Sequence, residues 1–418
     1  LIQAYFVGVK PTEKQDKDAP PKKNTCKPPQ PVECGKTCEF HQLASFRFMV
    51  CESIPAGVTF NSSYPIFNST TSCWMRLMIK FNNFSIIKSL YHVIVISGAA
   101  KHDILIGSFY WSLLVKNTGD NYTVDTTNTT GDGMLIYNTL LKTAQRGVKV
   151  KISQTYRDGG YSETANLAAE SNGNIEVRSL DFTQWYPGGI LHTKSWVVDG
   201  KHLYVGSANF DWRSLTQVKE LGMAVFDCPC LAEDLTKLLQ IHWDMGAPGA
   251  KIPDSWPMVY ATSAYHERPT TVPQSEGDQA VYFSASPPGF QSCGRESDID
   301  AMVKLIDEAQ DVTLDQFSRW YARLDEAIRR AAFNRQVKVR FLFSRWAHTS
   351  AKYYSYLRSL QDLSSQLPCR YVGTNLFKLR TSNWTPDYWK YTAGIGMVIR
   401  ADDISQNSTV ANQIVQVR

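Results

Sequence analysis

From about residue 100 the chain alternates strand-like and helix-like hydrophobic patterns. The run HDILIGSFYWSLL (102–114) reads as one buried strand, residues 132–146 carry apolar positions at helical spacing, and GVKVKIS (147–153) alternates with a period of two. NIEVRSL (174–180) predicts a further strand. LHTKSWVVDGKHLYVGSANFDWRSL (191–215) predicts two buried strands joined at a DGK turn, and CLAEDLTKLLQIHWDMG (230–246) a helix. The same order returns near residue 298: DIDAMVKLIDEAQ suits a helix, DVTLDQFS a strand, ARLDEAIRRAAFNRQ a helix and VKVRFLFS a strand. The clearest internal repeat sets LLKTAQRGVKVKIS beside AIRRAAFNRQVKVRFLFS, so two similar α/β lobes are expected, each a mixed sheet flanked by helices.

The expected boundaries are a stalk or linker over 1–50, a first lobe over 51–250, a connecting segment over 251–285 and a second lobe over 286–418. Residues 9–33 are rich in Pro, Lys and acids with little that could join a core. No window reaches the roughly 18 uninterrupted apolar residues of a membrane span. LIQAYFVGV at the start reads either as the tail of an anchor lying upstream or as a frayed terminus.

Composition narrows this picture a little. The chain of 418 residues is 43% hydrophobic with a formal charge of +5, ordinary for a globular protein and compatible with an anionic substrate. Its nine cysteines stand at 26, 34, 38, 51, 73, 228, 230, 293 and 369. Cys34 with Cys38 and Cys228 with Cys230 are closely spaced, but C-x3-C with C-x-C is not a usual zinc pattern, and no metal is expected. Seven Asn-x-Ser/Thr sequons, at Asn61, Asn68, Asn83, Asn121, Asn128, Asn383 and Asn407, favour a secretory-pathway lumen, where cysteines become disulfides.

The chemistry gathers in 191–215. His192 and Lys194 are two apart, so on a strand their side chains leave one face, and Asp199 lies near the turn. The return strand ends in Gly206, Ser207 and Asn209, small and polar, where a backbone can approach a ligand. An imidazole can attack or protonate, an ammonium can hold phosphate oxygens, and Ser and Asn can donate to developing charge. A lone histidine is more often a satisfied core residue. H-x-K, four residues to Asp, then six to G-S-x-N is a much longer constraint.

That pattern resembles the HKD signature of the phospholipase D superfamily. With ILIGSFYWSLL, VGSANFDWRSLTQVKELG and SNW beside it, the chain resembles the animal branch of lysosomal 5′-exonucleases, type II membrane glycoproteins. The resemblance implies two phospholipase D-type lobes, each with one motif, meeting at a single site that needs no metal and no cofactor. One histidine would form a phosphohistidine and the other would protonate the leaving oxygen. By match, His192 is the nucleophile, Lys194, Ser207 and Asn209 hold the phosphate, and Asp199 supports. Cys34 and Cys38 resemble cysteines that tie to the C-x-C at Cys228 and Cys230, as structural disulfides.

The second lobe departs from this pattern. If RTSNW matches GSAN, Asn383 is the counterpart of Asn209, yet counting back the same spacings reaches Gln366, Pro368 and Gly373. The last histidine, His348, has no Lys two residues on. The second H-x-K is therefore missing, and YVGTNLFKLRTSNW reads as a junction. Residues 78–98 likewise interrupt a place where relatives run straight into the next strand.

Three functions fit: a 5′-3′ exonuclease on single-stranded DNA or RNA in a lysosomal or endoplasmic reticulum/Golgi lumen, a phospholipid hydrolase or transferase, and a pseudoenzyme or binding glycoprotein. A homodimer assembling one site is a variant of the first. Tyr110, Trp111, Phe210 and Trp212 flank the motif as core residues or as base-stacking ones, with core the default. His202 and Asp211 are expected as solvent-facing turn residues. The basic helix AIRRAAFNRQ is expected as a solvated face.

Overall fold

The computed structural model describes residues 4–8, 26–30, 48–60, 67–79, 100–118, 129–273, 278–315, 320–342, 355, 358–360, 362, 376–380 and 385–401. The segments 9–25, 80–99 and 343–354, with Asn383, His348, Cys34 and Cys38, lie outside them. The chain divides into two compact units: Gly35–Trp185 with Ile190–Lys251, and Leu1–Cys34 with Tyr186–Gly189 and Ile252–Arg418.

Strand β1 (Ala4–Gly8) belongs to the second of these units. The unit that carries His192 is built on β2 (Phe48–Ser53), β3 (Asn68–Ser69), β4 (Asp103–Gly107), β5 (Trp111–Ser112), β6 (Lys149–Thr155), β7 (Ile175–Leu180), β8 (Ser195–Val198), β9 (His202–Gly206), β10 (Phe210–Asp211) and β11 (Glu220–Val225). Its main sheet runs β3-β2-β11-β9-β8-β4-β6-β7, while β5 and β10 pair apart from it. β4, β6 and β7 are parallel, and β8 runs antiparallel to β4.

The helices of this unit form where capping and helical spacing agree. α1 (Thr70–Met78) starts at Ser69, whose side chain accepts the Ser72 amide at 3.1 Å. α2 (Gly131–Gln145) carries Asp132 in its first turn, where an acid favours the helix dipole, and Asp132 accepts the Thr71 hydroxyl at 2.7 Å. α3 (Ser162–Glu170) and α4 (Trp212–Thr216) are short. α5 (Pro229–Met245) has Pro at its start and Gly246 at its end, and buries Leu231, Leu235, Leu238, Leu239 and His242. Trp74 of α1 packs on Trp196, Tyr204 and Phe210 with centroids 5.1, 5.7 and 4.8 Å away. Burying each such ring contributes about 1.5–3 kcal/mol, so this aromatic block anchors the motif hairpin to the core.

The run 102–114 is not one strand. It breaks after Gly107, where the chain turns and Trp111 Nε1 donates to Ser108 Oγ at 2.9 Å. Trp111, Phe210 and Trp212 are buried in the core. A disulfide between Cys51 and Cys73 ties β2 to α1. Cys230 is disulfide-bonded, while the cysteines expected to pair with the C-x-C lie outside the described residues.

The second unit has β12 (Thr270–Val272), β13 (Gln279–Ser286), β14 (Glu296–Ser297), β15 (Ala309–Asp315), β16 (Lys338–Leu342), β17 (Leu376–Arg380) and β18 (Gly394–Ala401). Its sheet runs β12-β13-β18-β17-β1-β15-β16, with β14 beside β13. β1 pairs with both β15 and β17, so residues 4–8 form a strand of this sheet rather than a frayed end. α6 (Asp298–Glu308) is capped by Ser297, and α7 (Ala322–Arg329) runs into one π-helical turn, Arg330–Asn334. Both pack apolar faces into one core with Tyr282 and Trp389. The arginines of the basic helix are engaged within the unit rather than merely solvated: Arg329 pairs with Asp325, Arg330 with Asp307, and Arg335 donates to the Ala309 and Ile306 carbonyls. A Cys26–Cys293 disulfide also lies in this unit.

Candidate functional site: a buried histidine and lysine at a sheet end

His192 and Lys194 lead into β8, next to the C-terminal end of β4. The crossing is tight because Gly107 has no side chain: a Cβ there would lie 2.6 Å from Thr193 Cγ2 and 2.8 Å from Leu239 Cδ2. Any other residue would force the Thr193 and Leu239 side chains to shift.

Both side chains are buried, His192 at 7% exposure and Lys194 at 1%. Lys194 Nζ lies 2.8 Å from His192 Nδ1 and donates to the His192 carbonyl at 2.6 Å. The Phe109 ring covers the pair, 4.7 Å from the imidazole centroid and 5.4 Å from Lys194 Nζ. Burial holds the Lys194 ammonium well below the ordinary lysine range, and the Glu220 charge opposes that shift. The pair is therefore a desolvated base beside an imidazole whose Nδ1 faces it.

Ser207 follows β9. Its amide donates to the Leu221 carbonyl at 2.9 Å, and its hydroxyl donates to Glu220 Oε2 at 2.5 Å and accepts the Leu221 amide at 3.0 Å. Asn209 keeps its buried amide oxygen without a hydrogen-bond partner among the described residues. Glu220 is the residue the sequence reading missed. Burial pushes its carboxyl up, and the Ser207 hydrogen bond opposes this. The available signal was an acid opening the otherwise apolar strand ELGMAV.

Other expectations are corrected. The space over Gly206 is not kept for a ligand: Tyr204 fills it, since a Cβ on Gly206 would lie 2.6 Å from Tyr204 Cζ and 2.9 Å from Gly222 Cα. His202 and Asp211 are not solvent-facing; they are 4% and 1% exposed. His202 Nδ1 accepts the Asp227 amide at 3.0 Å. Asp211 accepts the Tyr110 hydroxyl at 2.8 Å, caps α4 and pairs with Arg213.

Asp199 stands at the opposite end of β8 from His192, in the turn, with φ of 51°. Its carboxylate accepts the amides of Lys101, His102 and Asp103 at 2.7, 2.8 and 3.0 Å. It pins the start of β4 to the hairpin, so its part in the site is architectural. Among the described residues no cluster of three or more His, Cys, Asp or Glu could hold a metal ion, and no helix is long and apolar enough to cross a membrane.

A family model described as "PLD3/4, PLD-like domain" matches residues 80–381. The chain belongs to that family. Its relatives include the 5'-3' exonuclease PLD3 of Xenopus tropicalis, 30% identical over 427 residues, which covers 92% of this chain and 80% of that protein. The 5'-3' exonuclease PLD4 of Mus musculus is 31% identical, covering 86% of this chain and 74% of that protein. A solved phosphatidylserine synthase from Haemophilus influenzae Rd KW20 superposes with a TM-score of 0.50 at 12% identity, over 76% of this chain and 81% of that one, and shares the fold alone. The two-lobed α/β fold is thus that of the PLD3/4 family.

Proposed function

We propose that this chain is a phosphodiesterase that removes nucleotides from the 5′ end of single-stranded DNA or RNA. The observation that carries the reading is the His192–Lys194 pair, Nζ to Nδ1 at 2.8 Å, at a sheet end in a PLD3/4-family chain. His192 attacks phosphorus and forms a phosphohistidine as the P–O bond to the leaving oxygen breaks. Lys194 and the Asn209 side-chain amide hold the phosphate oxygens, the Ser207 hydroxyl being given to Glu220, and water then releases the product and frees the imidazole. A desolvated pocket suits this step, because charge–dipole contacts strengthen where water is excluded. The relatives named as 5'-3' exonucleases support nucleic acid over lipid as the substrate.

The test is cleavage of a 5′-hydroxyl single-stranded oligonucleotide at pH 5 by the purified full-length chain. A folded chain that releases no mononucleotides sinks the reading. Disulfides at Cys26–Cys293, Cys51–Cys73 and Cys230, with the sequons, support an oxidising secretory lumen as its place of work.

One observation favours a second reading. The sequence holds a single H-x-K, and in this reading a second copy of the chain supplies the group that protonates the leaving oxygen. Specific activity that rises with protein concentration supports this. A constant specific activity from a chain that is monomeric across the dilution range excludes it.

A further inference from the structure

Of the four aromatic residues that sequence alone marks as base-stacking candidates, Trp111, Phe210 and Trp212 are 3%, 0% and 3% exposed, and Tyr110 packs half-buried against the core with its hydroxyl on Asp211. Tyr156 is different. It follows β6 directly and is 51% exposed. Its amide donates to the Leu180 carbonyl at 2.9 Å, which fixes the backbone at the end of β7. One residue earlier, the Thr155 amide donates to the Phe109 carbonyl at 3.1 Å and the Thr155 hydroxyl accepts the Leu191 amide at 3.1 Å. Phe109 and Leu191 are the immediate surroundings of His192. Tyr156 therefore stands at the same end of the sheet as the buried pair.

The register agrees. Ile106 of β4 pairs with Trp196 on one side and Ile152 on the other. Steps of two lead from Trp196 to Lys194 and His192, and from Ile152 to Gln154 and Tyr156, all counted to one face. β6 and β8 flank β4, so the strands carrying the two side chains are about 10 Å apart at ordinary strand spacing. That separation suits a base on a nucleotide whose phosphate sits at the pair. The ring is also held: the Tyr156 hydroxyl donates to Asp158 Oδ1 at 3.0 Å, before a turn in which Gly159 and Gly160 have φ of 75° and 69°. Arg157 beside it is exposed, with its guanidinium 5.7 Å from the Tyr161 ring.

We propose that Tyr156 is the stacking platform for the base of a nucleotide adjoining the phosphate at His192 and Lys194, with Arg157 the neighbouring cation for the strand backbone. The inference rests on the nuclease reading and specifies its substrate as an unpaired strand. An open tyrosine face suits every base, so the contact is sequence-tolerant.

The test measures fluorescence anisotropy of a 3′-labelled single strand on the full chain, in a His192→Ala background so that turnover does not interfere. A matched strand with abasic 5′-terminal nucleotides is the control. Tyr156→Ala is expected to weaken binding of the base-bearing strand roughly 5- to 150-fold and to leave the abasic strand unchanged, while Tyr156→Phe stays within about twofold of the parent. Circular dichroism confirms that each variant is folded. If Tyr156→Ala binds the base-bearing strand as the parent does, or loses both strands equally, the stacking role is overturned and the nuclease reading stands. If the parent binds neither strand and the unsubstituted chain cleaves neither, the nuclease reading falls and takes this inference with it.

Discussion

The two units share a helix-then-strand repeat, α2 into β6 and α7 into β16, and differ in the polar groups they bury. In the second unit His266 lies between opposites and complements. Its Nε2 meets Glu308 at 2.5 Å, its Nδ1 meets the Tyr282 hydroxyl at 3.2 Å, and its amide donates to Glu296, which pairs with Lys304 at 2.8 Å. In the other unit His192 lies against Lys194, one nitrogen base beside another, at a sheet end. A histidine between carboxylate and phenol holds a fold together. His192 and Lys194 are desolvated side by side, with the Glu220 charge acting on Lys194, and such perturbed groups at a sheet end are candidates for meeting an anion.

The largest test of that contrast is paired substitution. His192→Ala is expected to lower kcat by a factor on the order of 10^4 or more, as loss of a covalent nucleophile does, with little change in the urea midpoint. His266→Ala is expected to do the reverse, lowering stability by about 1–3 kcal/mol through the unpaired Glu308 and Tyr282, with turnover kept within a few-fold. A His266→Ala chain that is folded and inactive breaks the comparison.

A smaller effect separates packing from ligand space. Gly206 and Gly222 face each other across β9 and β11, and the Tyr204 ring lies over both. The ring cannot withdraw, because Trp74 and Trp196 pack with it. Gly206→Ala should therefore destabilise by about 1–3 kcal/mol, as overpacking does, read as a lower urea midpoint with an unchanged slope. If the variant keeps its stability and instead loses affinity for the oligonucleotide, the space over Gly206 belongs to the ligand after all.

Much of this was legible because local period and motif spacing carry it. β8, β9 and α5 to α7 follow from alternation and helical spacing, and H-x-K with G-S-x-N marks the pair that the fold brings within hydrogen-bond distance. What the sequence hid depends on distant pairing. β2 lies beside β11, about 170 residues away, and begins at Phe48 within the stretch read as stalk. β1 sits between β15 and β17. Glu220 reaches Ser207 only through the β9–β11 register. His202 and Asp211 were misread because polar residues beside a turn usually face water, whereas these two are buried as hydrogen-bond acceptors.

The smallest effect concerns Asp199, the one member of the motif that stays away from the pair. Burial works against its ionisation, but three backbone amides outweigh burial, and the net effect holds the carboxyl below the ordinary aspartate range. A depressed carboxyl contributes stability that is fully present above its unfolded pKa of about 3.9 and is lost as pH falls through the lower folded value. Asp199 should therefore matter little to the shape of the stability curve near pH 5 and should steepen its fall below about pH 4. Asp199→Asn keeps a side-chain oxygen for the amides and removes the charge, so it is expected to cost about 1 kcal/mol at pH 5 and to flatten the acid limb. Turnover by the folded variant should stay near the parent's, because the residue acts on β4 rather than on phosphate. Loss of kcat in Asp199→Asn, with the acid limb unchanged, would place Asp199 with His192 and remove the distinction between the two ends of β8.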